Sequence, residues 1–308
     1  MKKKSILSIF ICVLVNISSY SQIRNYDNSI CWEITSSKLS KPAYILGSIH
    51  ALDTTKIYFP TLKIKEMIDQ CGSYCMETVL DSIQMKETFN GLFLDNKKKN
   101  NRDSLGHEYY EKLIHIADSS KERMLTTFKI FLPILEPGFI SFMLKSRRLS
   151  INRTLYSKSN FMMDLYFEKY STSKNYSIHG LESPQQVLDY LVGKATYRES
   201  ILALKTSIDD FLIKPVELSN DHVDIFKSYA NQNLSFLKND AYLDSTLIMR
   251  NKVMADGIDQ LLQEKPVFIV IGASHLPYEF GVLNRLAQKG YSVQPYNIEL
   301  QINKETNN

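Results

Sequence analysis

Residues 44–50 read YILGSIH and residues 267–275 read VFIVIGASH. In each, an apolar run ends at a glycine and a lone histidine follows three residues later, His50 in the first and His275 in the second. Lys41-Pro42 precedes the first run and Lys265-Pro266 the second. Short continuous apolar runs bounded by turn residues read as strands buried on both faces, the habit of a parallel sheet covered by helices. In open α/β sheets, ligands sit just past the carboxyl ends of the strands. Both imidazoles fall there. Taken singly, each is a satisfied polar group at a strand end; as a pair hung from equivalent turns, they are candidates to converge if their strands are near neighbours.

Working outward, CWEIT alternates, SSKLSKP turns and AYILG is apolar, which together predict a hairpin over residues 30–50. Ile64, Met67, Ile68 and Cys71 follow at i, i+3, i+4 and i+7, a short helix stopped at Gly72, and SYCMETV then reads as another strand. Strand, helix and strand make the parallel-sheet unit, with a right-handed crossover expected. Residues from about 85 to 170 change character and read as a helical insertion over the sheet. Within it, EYYEKLIHIADSS and RMLTTFKIFLPIL carry helical periodicity interrupted by Pro133 and Pro137. The lysine run DNKKKNNR lacks interleaved aromatics and reads as a solvated loop. YSIHGLESPQQVLDYLV predicts a short strand, a turn and a helix, with Ser183 and Gln186 forming a capping box and Pro184 in the first helical position. Helices are expected over 196–213, 220–238 and 243–264, and the end of the chain reads strand, Gly-x-x-His turn, helix stopped at Gly290, strand. The fold class is α/β.

The 308 residues, 44% hydrophobic, suffice for a sizeable core in a single domain. The first 21 residues read as a signal peptide: a lysine start, an apolar stretch over 6–17, then Ser19 and Ser21 ahead of a cleavage point before Gln22. The apolar stretch is short for a membrane span, and no later segment approaches that length. The mature chain, residues 22–302 with a disordered tail at 303–308, is expected in the periplasm or outside the cell. Losing Lys2, Lys3 and Lys4 brings the formal charge from +4 to near +1, so nothing suggests a nucleic-acid partner. Cys31, Cys71 and Cys75 remain after cleavage, compatible with packing or with one disulfide such as Cys71–Cys75.

Three further residues stand out. Glu77 lies in a run that otherwise reads as a buried strand, and an ionised carboxylate is costly to bury unless paired or bound to metal. Arg250 shares a helical stripe with Leu247, Met254, Ile258, Leu261 and Leu262, next to Asn251, and a guanidinium there wants a buried anion. It is either half of a structural Arg–Glu pair or part of a site. Glu182 sits at the lip of the helix that Ser183 caps. Two histidines with one or two carboxylates can hold a divalent metal with an open position for water. Gly-x-Ser-x-Gly, His-Glu-x-x-His, P-loop and dinucleotide fingerprints are all missing from the sequence, so metal-assisted hydrolysis is the catalytic chemistry these residues suggest.

CWEITSSKLSKPAYILGSIHALD, CMETVLD, GLESPQQ, LIMRN and VFIVIGASHL, in that order over residues 31–296, resemble the TraB/PrgY/GumN family, which includes the animal Tiki metalloproteases. The resemblance implies a mixed central β-sheet flanked by helices, distantly similar to erythromycin-esterase and haem-binding ChaN-like proteins. It implies that His50 and His275 match the two Gly-x-x-His histidines, Glu77 the strand glutamate, Arg250 the helix arginine and Glu182 the Gly-Leu-Glu motif. The expected function is a metal-dependent hydrolase, a peptidase acting on a peptide or protein. His50, His275 and Glu77 are its metal ligands, and Glu77, Glu182 and Arg250 its catalytic groups. Zinc, manganese, cobalt or iron would each suit that donor set. The alternative is a non-catalytic periplasmic binding protein that captures a peptide or a haem-like ligand in the same cleft.

Overall fold

The computed structural model describes residues 24–49, 51–52, 54–79, 82–95, 99–119, 128–149, 161–213, 225–238 and 245–303. The expected leader, His50 and residues 304–308 of the expected tail lie outside the described residues. Strands β1 (Cys31–Thr35) and β2 (Ala43–Ser48) form the hairpin, Cys31 facing Leu46 and Ile34 facing Ala43. Two short strands follow, β3 (Ala51–Leu52) and β4 (Ile57–Tyr58). Helix α1 (Thr61–Cys71) buries Ile64, Met67, Ile68 and Cys71, the stripe its spacing predicts, and ends where the Gly72 N–H donates to Ile68 O. Strand β5 (Ser73–Met76) is buried throughout. Helices α2 (Ser82–Asn90), α3 (Asn101–Leu105), α4 (His107–Ser119) and α5 (Pro137–Leu149) build the middle of the chain. Of the segment expected as a helix before Pro133, the described part begins at Phe128, which is helical, and continues as a 3-10 turn over Lys129–Phe131; Pro137 opens α5.

The second half returns to the sheet. Strand β6 (Phe161–Met162) pairs with β3, helix α6 (Met163–Ser173) follows, and strand β7 (Ser177–Gly180) leads through Ser183 into α7 (Pro184–Val192). The capping box is present: Ser183 Oγ accepts from Gln186 N–H while the Gln186 side chain accepts from Ser183 N–H. Then come α8 (Tyr197–Leu212), α9 (Ile225–Ala230), α10 (Ser245–Leu262), β8 (Phe268–Gly272), α11 (Val282–Gln288), β9 (Ser292–Pro295) and β10 (Gln301–Ile302).

The main sheet has the order β7-β5-β8-β2-β1-β9. Its first four strands run parallel, whereas β1 is antiparallel to both neighbours. The fold is thus α/β with a mixed central sheet flanked by helices. Strands β2 and β8 lie at its centre and are buried at every residue. Ile45, Leu46, Ile269, Val270 and Ile271 show no exposed surface. Burying one such side chain stabilises by about 1.5–3 kcal/mol, so both strands that carry the Gly-x-x-His turns are anchored in the core.

Among the described residues two hydrophobic cores result. The first surrounds the sheet and includes Met163 and Phe167 of α6. The second joins Leu92, Leu113, Leu135, Phe139 and Ile140 to Leu204 and Ile208 of α8, with Leu188 and Val192 of α7 packed against it. Buried Asn101 ties this helical layer together, donating to Leu132 O at 2.8 Å and Leu135 O at 2.7 Å and accepting from the Tyr197 hydroxyl at 3.2 Å. Among the described residues, Cys31, Cys71 and Cys75 are free, buried thiols. Burial pushes the Cys71 thiol up to about 12, Lys41 opposing it slightly. Among the described residues no helix is long and apolar enough to cross a membrane.

At the crossing of α5 and α7, a Cβ on Gly138 would lie 1.6 Å from the Val192 carbonyl oxygen. Backbone cannot swing aside as a flexible side chain can, so Gly138→Ala must push α7 off α5. Overpacking of this kind typically costs about 1–3 kcal/mol. Thermal unfolding of Gly138→Ala is expected to show a lowered midpoint; an unchanged one would mean that the two helices separate without loss.

Candidate functional site

Strand β5 ends at Met76, one residue before Glu77, although the sequence reads as strand through this position. The reason lies in the backbone that follows the neighbouring strand β7. The Glu77 carbonyl accepts from Leu181 N–H at 3.0 Å and from Glu182 N–H at 2.8 Å, bending the chain out of the ladder. Since β5 and β7 are parallel with Met76 opposite Gly180, both glutamates leave the same end of the sheet side by side.

Helix α10 supplies their counterion. Its buried stripe of Met254, Ala255, Ile258 and Leu262 packs into the sheet core, placing Arg250 over the strand ends. Arg250 Nε donates to Glu182 Oε1 at 2.9 Å, and Nη2 donates to Glu182 Oε2 at 2.7 Å and to Glu77 Oε2 at 2.8 Å. The guanidinium meets Glu182 as a two-pronged fork and bridges it to Glu77, a geometry lysine cannot reproduce. The Glu182 side chain is fully buried, that of Glu77 is 18% exposed and that of Arg250 23%. Burial opposes the charge on Arg250, but the hydrogen bonds and charges of Glu182 and Glu77 outweigh it and raise its pKa above the ordinary arginine value. Tyr190, from the α7 helix that Glu182 precedes, lies under the guanidinium at 5.2 Å. Burial and then the adjacent Glu182 carboxylate raise the Tyr190 pKa. Tyr190 escaped the sequence reading, though an aromatic two turns into the helix after Gly-Leu-Glu was a usable signal.

The second Gly-x-x-His turn closes the cluster. Gly272, the last residue of β8, donates its N–H to Glu77 Oε1 at 2.6 Å. Three residues on, His275 is 2% exposed, with Nδ1 at 2.6 Å from Asn251 Oδ1 and Nε2 at 3.8 Å from Glu77 Oε1. Asn251 Nδ2 donates to Phe280 O at 3.0 Å. Glu77, Glu182, Arg250 and His275 are therefore brought together from four separate elements.

His50, the fifth candidate, lies outside the described residues, but its strand is placed. β2 runs parallel to β8 in direct contact, Ser48 opposite Gly272, so the two Gly-x-x-His turns leave adjacent strand ends. The glycine of the first turn is required by close approach: a Cβ on Gly47 would meet Leu276 Cδ1 at 2.6 Å and Ala273 Cα at 3.1 Å. The buried Tyr229 hydroxyl holds the Gly47 carbonyl at 2.7 Å.

Two carboxylates against one guanidinium leave a formal charge of minus one, an arrangement suited to a cation. Among the described residues no group of three or more His, Cys, Asp or Glu side chains is placed to hold a metal. No curated protein and no solved structure matches the chain. A profile of the TraB/PrgY/gumN family matches residues 30–295, from the start of β1 to the end of β9. With the match spanning all six strands of the main sheet and every one of these site residues, the chain belongs to the TraB/PrgY/gumN family.

Proposed function

We propose that this protein is an exported metal-dependent hydrolase, a peptidase, that holds one divalent ion with His50, His275 and Glu77. The observation that carries the reading is the convergence of Glu77, Glu182, Arg250 and His275 at one end of a parallel sheet, next to the strand that leads to His50. Zinc, manganese, cobalt or iron would suit two imidazoles and a carboxylate. Such an ion polarises a carbonyl and lowers the pKa of water. Around it, the chain's own groups divide the work. Glu77, fixed by Gly272 N–H and Arg250, is held rigidly for ligation. Arg250, kept cationic by its carboxylates, stands ready to hold a peptide carbonyl oxygen as it gains charge. Glu182 orients Arg250 through both of its oxygens; serving as proton acceptor or fourth ligand would require that contact to open. Export rests on the lysine-and-apolar leader of the sequence.

Metal analysis of the purified chain tests the site. The parent is expected to retain about one divalent ion, and His50→Ala and His275→Ala to lose it while staying folded, since one stranded buried acceptor costs about 1–3 kcal/mol, less than the about 5–15 kcal/mol of a typical domain. Full metal content in both variants would refute the ligand set. A parent that takes up none of the four metals would instead favour a non-catalytic cleft that captures a peptide or a haem-like ligand.

A further inference from the structure

We infer that Asn251 is a positioning residue: its amide fixes the proton of His275 on Nδ1 and so turns Nε2 toward Glu77 as the acceptor nitrogen of the ring. The Phe280 carbonyl can only accept. It receives Asn251 at 3.0 Å and Arg285 Nε at 3.2 Å, so the end of the Asn251 amide facing it must be the NH2 group. The other end, Oδ1, is then an acceptor, and it faces His275 Nδ1 at 2.6 Å. Two lone pairs cannot sit that close, so Nδ1 carries a hydrogen. In a neutral imidazole with Nδ1 protonated, Nε2 is the acceptor, and Nε2 is the nitrogen 3.8 Å from Glu77 Oε1. Both Asn251 and His275 are 2% exposed, which shields this hydrogen bond from exchange with solvent. Orienting partners of this kind set the tautomer of metal-binding histidines in general.

Asn251 also follows Arg250 directly on α10. One helical turn thus holds Glu77 and Glu182 through the arginine and His275 through the asparagine. The consequence for metal binding rests on the proposed hydrolase reading, whereas the tautomer does not, and the experiment separates the two.

Two-bond proton–nitrogen spectra of the ring-labelled full chain read the tautomer directly. They would be taken well above the ordinary histidine pKa of about 6.5, with the His275 signals assigned by their loss in His275→Gln. The parent is expected to show a protonated Nδ1 and an unprotonated Nε2. Asn251→Asp gives up the hydrogen bond to the Phe280 carbonyl but keeps an acceptor toward Nδ1 and should preserve that pattern, and Asn251→Leu should move the proton wholly or partly to Nε2. Titration with zinc alone should show binding weakened about 10–100-fold in Asn251→Leu and much less in Asn251→Asp. A parent protonated on Nε2, or an Asn251→Leu variant that keeps the proton on Nδ1, would overturn the inference. Unchanged zinc affinity in Asn251→Leu despite a changed tautomer would count against His275 as a zinc ligand and leave the tautomer assignment standing. Should the leucine variant fail to fold, the parent spectrum and the aspartate variant still decide. A parent that binds no zinc while showing the expected tautomer would count against the metal reading alone.

Discussion

Replacing Arg250 with alanine is expected to lower the unfolding free energy by about 3–5 kcal/mol, the usual effect of removing one partner from a buried ion pair. The size follows from what the guanidinium leaves behind. Glu182 is fully buried and has both oxygens on Arg250, and Glu77 has one. Without the cation, two carboxylates within reach of one guanidinium face each other in a poorly solvated space. Arg250→Lys keeps the charge but loses the fork, so an intermediate loss is expected. Adding Glu182→Gln to Arg250→Ala should recover part of the stability by removing one of the stranded charges. Denaturant unfolding of the three variants against the parent makes the comparison. A loss below about 1 kcal/mol for Arg250→Ala would place the pair with exposed salt bridges and contradict the burial described above.

The second large effect is on activity rather than stability. His275→Ala is expected to reduce peptide hydrolysis by at least about a hundredfold, because it removes a proposed ligand whose orienting partners alone are worth 10–100-fold. Its structural cost is smaller than that of Arg250→Ala. The imidazole leaves the Asn251 Oδ1 without that donor, a cost of about 1–3 kcal/mol for a buried acceptor. Glu77→Gln should behave similarly for a different reason. Glu77 accepts from Gly272 N–H on one oxygen and from Arg250 on the other. A glutamine must therefore turn its NH2 against one of those donors. Parallel measurements of kcat/KM and of unfolding separate the two effects: the histidine and glutamate variants should lose activity out of proportion to stability.

Much of this was legible in the residues. The hairpin, α1, β8 and the cap of α7 follow from local signals: apolar runs, i, i+3, i+4, i+7 spacing, and Ser183 with Gln186. The likeness of the two Gly-x-x-His turns pointed to adjacent strand ends, and the pairing of β2 with β8 supplies that adjacency. What failed to show was always long-range. Nothing local says that β8, far along the chain, inserts between β5 and β2. The bend at Glu77 is imposed by N–H groups of Leu181 and Glu182, more than a hundred residues away. The helical middle does not stand alone, since α7 and α8 complete its core while α6 joins the sheet. Arg250 needed an anion, but its sharing between Glu77 and Glu182 depends on the parallel register of β5 and β7. Asn251 was visible beside Arg250; its role depends on an amide orientation that only the Phe280 carbonyl settles.

The most direct measurement is peptide cleavage by the full chain before and after its metal is stripped and restored, with His50→Ala and His275→Ala alongside. If the converged residues form a metal-dependent hydrolase, cleavage disappears on stripping, returns with about one equivalent of a divalent ion, and stays absent in both variants under the same loading. Cleavage that survives stripping, or that persists undiminished in both histidine variants, would contradict it.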